Sequence, residues 1–418
     1  MAAFLVLAMS VEAQEIFSAA KEKAIAALIA ARKGTEAFDS MQSQITGPVT
    51  VGAERTEAYL PLLEGKKVAV VANQASRIGE RHLVDSMLTR GVDIQCIFCP
   101  EHGFRGDAEA GAHVADNIDP MTGIPIVSLY GNNKKPKAEQ LRGIEVVVFD
   151  LQDVGCRFYT YISTLHYVME ACAENGVKMV LLDRPNPNGH YVDGPVLEKK
   201  YQSFVGMHPV PIVYGMTIGE YAQMINGEGW LAGGLRCDIT VITLQNYTHN
   251  TPYSLPVAPS PNLQTDQAIA LYPSLCLFEG TNISVGRGTG RPFEMIGAPN
   301  YRKTSGCTIP SLEFTPKSIK GVSENPPFKG QTCNGLILSD EPKPMRFELG
   351  YLMEMYKGTR GSDFFLKSGF FEKLAGTADL RKQLQDGASE EEIRKSWEPK
   401  LSEFKECRKK YLLYTDFE

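Results

Sequence analysis

Glu101, His102 and Arg105 fall within five residues of one another, in the stretch Cys99-Pro100-Glu101-His102-Gly103-Phe104-Arg105-Gly106-Asp107. A carboxylate, an imidazole and a guanidinium this close together are the parts of an acid–base site, with Glu101 as proton donor or acceptor. Pro100 removes a backbone donor and fixes φ, while Gly103 and Gly106 permit turns that other residues resist. The same residues would also suit a tight turn with a salt-bridged glutamate.

Two further polar clusters follow apolar runs. Asn73-Gln74-Ala75-Ser76 is the shorter; Asn73 taken alone is more simply a cap for a turn or helix. Asp150-Leu151-Gln152-Asp153-Val154-Gly155, continuing into Arg157-Phe158-Tyr159-Thr160-Tyr161, is the longer. Asp150, Asp153 and Arg157 fit a catalytic group or a mutual ion-pair network equally well. Tyr159 and Tyr161 offer an apolar ring face and a hydroxyl rim that suit a sugar, or they pack in a core. Later in the chain, Glu279 precedes a loop in which Gly286, Gly288 and Gly290 alternate with Arg287 and Thr289, closed by Arg291. This is neither a P-loop nor a dinucleotide fingerprint. It reads better as a flexible arm carrying Arg287 and Arg291 to an anionic substrate, since arginine recognises carboxylates in a planar, bidentate way.

Positioning these clusters requires strands that end where they begin. β-Branched or apolar runs at Lys66–Asn73, Asp93–Phe98, Ile124–Leu129, Ile144–Asp150, Lys178–Asp183 and Asp238–Leu244 read as strands. Helical spacing appears through His82–Leu88, Thr164–Asn175 and Thr217–Asn226. This alternation implies an α/β fold, a mainly parallel sheet with helices on both faces. In such sheets ligands bind at the carboxyl ends of the strands, where the polar clusters would converge. After Asn246 the pattern fades, and Pro252, Pro256, Pro259 and Pro261 crowd together. The expected division is therefore 1–51 (a helix over Gln14–Arg32 and a linker), 52–248 (the sheet domain) and 249–418 (a second unit with a helical end from Glu348).

Composition narrows the class. A hydrophobic share of 43% over 418 residues is enough for a sizeable core. The net charge of −6 argues against a nucleic-acid backbone as partner. None of the seven histidines has H-E-x-x-H spacing, and no metal site is expected. The nine cysteines are scattered; Cys96-x-x-Cys99 sits on a strand running into a loop, so buried thiols are expected over a redox pair. The amino-terminal run Ala2–Met9, followed by Val11-Glu12-Ala13, resembles an export signal without its basic start. Export to the periplasm or cell envelope is the expectation, and no other run approaches the ~20 apolar residues of a membrane span.

Taken together, Asn73-Gln74, Pro100-Glu101-His102-Gly103-Phe104-Arg105-Gly106, Phe149–Tyr161, Asp183-Arg184-Pro185-Asn186-Pro187 and Glu279–Thr289 resemble the exo-β-N-acetylmuramidase family, long catalogued as a domain of unknown function. The resemblance runs from about Thr56 to the carboxyl end. It implies a Rossmann-like domain joined to a smaller α+β domain with the cleft between them. It also implies a glycoside hydrolase that needs no cofactor and releases N-acetylmuramic acid from non-reducing ends of peptidoglycan fragments.

Within that resemblance Glu101 is the key carboxylate; the chemistry of glycoside cleavage, read separately, makes it the expected acid with His102 beside it and leaves the second group to be chosen among nearby carboxylates. Its partner is Asp153, Asp150 or Glu279, with Asp153 placed first. Arg105, Arg287 or Arg291 would meet the lactyl carboxylate. Asn73, Gln74, Arg157, Tyr159, Tyr161 and Asn282 complete the candidate substrate contacts. Two other classes share these features. A muropeptide-binding protein could use the same cleft without cleavage. A Rossmann-type oxidoreductase would need a glycine fingerprint where the first strand instead meets Asn73-Gln74-Ala75-Ser76.

Overall fold

Lys67–Ala72 forms β1, a run of valines and alanines buried on both faces after its first residue. A strand of that composition belongs at the centre of a covered sheet. In this computed structural model, which describes residues 47–101, 103–104, 117–360 and 363–418, it does. β1 pairs in parallel with β2 (Asp93–Cys99) on one side and β5 (Val146–Asp150) on the other. Beyond β2 lies β4 (Pro125–Ser128), edged by the antiparallel two-residue strand β3 (Asn117–Ile118). Beyond β5 come β6 (Lys178–Leu182) and β7 (Ile239–Ile242), both parallel.

The sheet order is β3-β4-β2-β1-β5-β6-β7. Its six parallel strands, counted along the chain, stand third, second, first, fourth, fifth and sixth. That is the doubly wound order of Rossmann-like folds, with its switch point between β1 and β5. Alternate residues of each strand feed different faces. Val68, Val70 and Ala72 pack with Tyr59 and Leu63 of α1 (Thr56–Leu63) and Leu83 and Met87 of α2 (Leu83–Leu88). Ala69, Val71, Val147 and Phe149 pack with α3 (Tyr161–Asn175) and α4 (Ile218–Gly227).

The second, smaller part begins with α5 (Asp266–Leu275), capped by Thr265, whose side chain accepts from the Ala268 amide. A 3₁₀ turn, Cys276–Gly280, follows directly. Three antiparallel strands, β8 (Met295–Ala298), β9 (Ser311–Phe314) and β10 (Cys333–Ile337), form a sheet in the order β8-β10-β9. Helices α6 (Leu349–Gly358), α7 (Phe370–Ala375), α8 (Asp379–Gln385) and α9 (Glu390–Arg408) complete it. The core on the α3 and α4 face continues through Leu271, Phe278, Ile296 and Phe371, so apolar packing joins the two parts.

Two glycines are fixed by contact. Gly155 has a φ of +73°, and a Cβ there would overlap the Asn186 amide; Gly280 would meet the Phe371 backbone at 2.5 Å. The first locks the loop after β5 to Asn186. The second lets α7 close onto the turn that carries Glu279. The expected amino-terminal helix, His102 and Arg105 lie outside the described residues.

Candidate active site

The loops leaving β2, β4 and β5 meet the 3₁₀ turn and glycine-rich arm of the second part around a cavity of about 400 Å³. Glu101, at the tip of β2, lines it. Its Oε2 accepts from Thr160 Oγ1 at 3.2 Å, and the Tyr130 hydroxyl hydrogen-bonds the same carboxylate. Burial, then the charge of Glu101, pushes the Tyr130 phenol well up, so it stays protonated and able to donate. The acid expected from the sequence is therefore in the cavity, held by one hydroxyl from just beyond β4 and one from the residue that caps α3.

Tyr159 and Tyr161 satisfy both readings of them. They line the cavity and are nearly fully buried, their rings edge to face at 4.8 Å. Tyr159 donates to the Pro259 carbonyl at 2.7 Å, and Tyr161 accepts from Asn73 Nδ2 at 2.8 Å. Gln74 Nε2 donates to the Ala258 carbonyl at 3.2 Å. Asn73 and Gln74, expected to touch substrate, instead hold the wall from behind and pin the proline-rich segment to the sheet. Asn73 also accepts from the Ala75 amide, the turn cap that its residue type suggests.

The longer cluster divides in the same way. Asp150 is fully buried and takes both Nε and Nη2 of Arg184, at 2.5 and 2.8 Å. This bidentate pair leaves no carboxylate oxygen facing the cavity. Asp153, placed first as the partner carboxylate, is also buried and absent from the cavity wall. It accepts from the Tyr214 hydroxyl and the Gly155 amide, and its Oδ1 has no partner. Burial pushes its carboxyl up to about 6 against those hydrogen bonds. Arg157 has no solvent exposure. Its terminal nitrogens donate to four carbonyls, of Pro195, Val210, Leu374 and Ala375, at 2.7–2.8 Å. The last two lie at the carboxyl end of α7, where a cation offsets the helix dipole. Arg157 fastens the two parts of the protein and does not face substrate.

Glu279 is the candidate partner that does line the cavity. Its Oε1 meets Arg287 Nε at 2.6 Å, and the Arg287 guanidinium lies 5.1 Å over the Phe293 ring. Arg291 faces outward to Ser339 Oγ at 2.9 Å, and Asn282 donates to the Asp363 carbonyl beside a separate hollow. The glycine-rich arm thus delivers one of its two arginines. Tyr130, Thr160, Phe204, Tyr272 and Phe293 also line the cavity and escape the sequence-level selection of site residues. Tyr130 carried a usable signal, since it ends the strand-like run before Gly131. Among the described residues no group of three or more His, Cys, Asp or Glu is placed to hold a metal ion.

A doubly wound domain and a smaller one place two carboxylates, Glu101 and Glu279, in the wall of one cavity among tyrosine and phenylalanine rings, a lining that suits an α/β enzyme acting on carbohydrate. Residues 68–267 match the family description "Exo-beta-N-acetylmuramidase NamZ, N-terminal" and residues 270–414 match "Exo-beta-N-acetylmuramidase NamZ, C-terminal"; the chain belongs to this family of glycoside hydrolases. It is 41% identical to the peptidoglycan beta-N-acetylmuramidase NamZ of Bacillus subtilis (strain 168), over 85% of this chain and 89% of that relative. Two crystal structures of DUF1343 family proteins from Bacteroides fragilis NCTC 9343 superpose with TM-scores of 0.80 and 0.76, at 45% and 28% identity. Each covers 88% of this chain, with 100% and 99% of those chains matched.

Proposed function

We propose that this protein is an exo-acting glycoside hydrolase that releases N-acetylmuramic acid from the non-reducing ends of peptidoglycan-derived glycan fragments. The observation that carries the chemistry is the presence of Glu101 and Glu279, from different parts of the fold, in the wall of one cavity. Breaking a glycosidic bond needs a protonated carboxyl beside the departing oxygen and an ionised one towards the anomeric carbon or its attacking water. Glu279 stands in an ion pair with Arg287 and is assigned the side of the anomeric carbon or its attacking water. Glu101, at the tip of β2, is assigned the place beside the departing oxygen. Asp150 and Asp153 are set aside as partners because neither reaches the cavity.

The test pairs a chromogenic N-acetylmuramide with the matching N-acetylglucosaminide. Cleavage of the muramide alone is expected. Retention of the muramide with no chromophore released would make the protein a binding module instead. The apolar run Ala2–Met9 supports placing the enzyme in the periplasm or envelope, in cell-wall turnover and recycling. Recovery of the native protein from the cytoplasmic fraction alone would overturn that placement.

A further inference from the structure

The proposed substrate carries a carboxylate on its lactyl ether, and the cavity must meet that charge. Arg287 lines the wall, but its Nε is already committed to Glu279 at 2.6 Å. Arg157 is sealed among carbonyls and Arg291 is turned to Ser339. The Arg287 charge is thus shared with Glu279, and a second cation beside the cavity would meet the acid without disturbing that pair.

Lys134 supplies it. The loop leaving β4 carries two successive lysines with opposite surroundings. Lys135 is bound to Glu170 and Glu174 at 2.6 and 2.7 Å. Lys134 has no carboxylate within 4.0 Å among the described residues. Its Nζ instead lies 4.5 Å over the ring of Phe204. Phe204 lines the cavity, and its ring is 6.5 Å from that of Tyr130, whose hydroxyl bonds Glu101. The wall therefore runs from the acid to Tyr130 and Phe204, and Lys134, itself outside the cavity lining, lies over the Phe204 ring.

Both ends of this platform are fixed. Asn133 Nδ2 donates to the Ser128 carbonyl at 2.8 Å, which anchors the loop next to Lys134. Ser163 Oγ donates to the Phe204 carbonyl at 2.7 Å, and Phe204 stacks on Tyr167 with the rings 17° from parallel. An ammonium resting on an aromatic face is held loosely, and a carboxylate arriving beside it makes the stronger, charge-assisted contact.

We propose that Lys134, presented on Phe204, receives the carboxylate of the terminal sugar. This rests on the muramidase reading and names the residue that recognises the acid substituent. The anomeric centre faces Glu101 and Glu279, and the lactyl group points along the Phe204 wall.

The test uses wild type, Lys134→Gln and Lys134→Arg with a chromogenic N-acetylmuramide and with the same compound whose lactyl acid is converted to the carboxamide. Losing one charge-assisted contact predicts a rise in KM for the acid of about ten- to a hundredfold in Lys134→Gln. Its kcat should stay within about twofold of wild type, because the contact is made equally in ground and transition states. The carboxamide should show no difference between wild type and Lys134→Gln, and Lys134→Arg should restore binding of the acid. An unchanged KM for the acid in Lys134→Gln overturns the assignment, as does an equal rise for acid and amide. A wild-type protein inert towards both compounds overturns the muramidase reading instead, and this inference with it.

Discussion

Two regions of the molecule contain the same ingredients and use them differently. The loop after β5 holds Asp150, Asp153 and Arg157. The turn and arm after α5 hold Glu279, Arg287 and Arg291. In the first, all three groups are buried and held by the protein: Asp150 by Arg184, Asp153 through one oxygen by Tyr214 and Gly155, Arg157 by four carbonyls. In the second, the Glu279–Arg287 pair stands at the cavity, with 27% and 19% of the side chains exposed. Solvent access separates the roles. A carboxylate already surrounded by fixed partners is an element of construction, whereas one at a cavity wall can exchange a partner for substrate.

Glu101 should show the largest effect on that contrast. Glu101→Gln keeps the size and the hydrogen-bonding oxygen but cannot give up a proton. Turnover of the chromogenic muramide is expected to fall by about 10²–10⁴-fold with an unchanged unfolding midpoint. Wild-type rates in this variant would remove the acid from the mechanism. Asp150→Asn should do the reverse. It leaves Arg184 buried beside a neutral amide, and breaking a buried pair from one side costs about 3–5 kcal/mol. Denaturant unfolding measures that loss directly; an Asp150→Asn protein as stable as wild type would dissolve the distinction between the two regions.

The sheet domain was largely legible because its strands are continuous buried runs, which few other structures accommodate. Lys66–Asn73 reads as a strand and Lys67–Ala72 is one; Asp93–Phe98 extends only to Cys99. α3 begins at Tyr161 and not Thr164, because the polar Thr160 and the tyrosines mask its first turn. The second part was not legible in this way. β8 and β10 contain Gly297 and Gly335, where an added Cβ would strike the opposing strand, so pairing and not propensity defines them. α5 carries Pro273 and α1 carries Pro61, residues that argue against a helix until tertiary contacts hold one.

The site shows the same limit. Strand-end reasoning finds Glu101, Tyr159 and Tyr161, but which side of a loop a residue faces depends on chain far away in sequence. Asp153 and Glu279 are alike as residue types; only packing separates them. Tyr130 was within reach of the same reasoning, being at the end of a strand, while Phe204 sits in a loop whose neighbours give no such cue.

Asp153 offers a smaller effect with a definite sign. Burial raises its carboxyl to about 6 in the folded protein, above the ~3.9 of an unfolded chain. A raised acid favours folding while it is protonated, so its contribution is fully present below about pH 4 and is lost as pH rises through 6. The shift corresponds to something on the order of 3 kcal/mol. Asp183, raised by burial to about 7, acts in the same direction. Buried His166 and His208, whose charging burial disfavours, act in the opposite one. The difference between wild type and Asp153→Asn isolates the one group. That difference in unfolding free energy should change between pH 4 and pH 6 and be flat above, with kcat within about threefold of wild type. Loss of turnover on the scale of Glu101→Gln would move Asp153 back among the catalytic groups.

Arg291 should give the smallest effect. The two arginines of the glycine-rich arm are four residues apart, yet one pairs with Glu279 and the other with the hydroxyl of Ser339. Removing a solvent-exposed side chain with a single neutral partner changes stability by about 0.5 kcal/mol or less. Arg291→Ala is therefore expected to keep kcat and KM for the muramide within about twofold. Arg287→Ala removes the cation from Glu279 and should cost at least tenfold in kcat/KM, since transition-state charge at the cavity is sensitive to a displaced carboxylate. If Arg291→Ala raises KM strongly while Arg287→Ala does not, the outward arginine must swing into the cavity when substrate binds, and the arm is a moving part instead of a fixed wall.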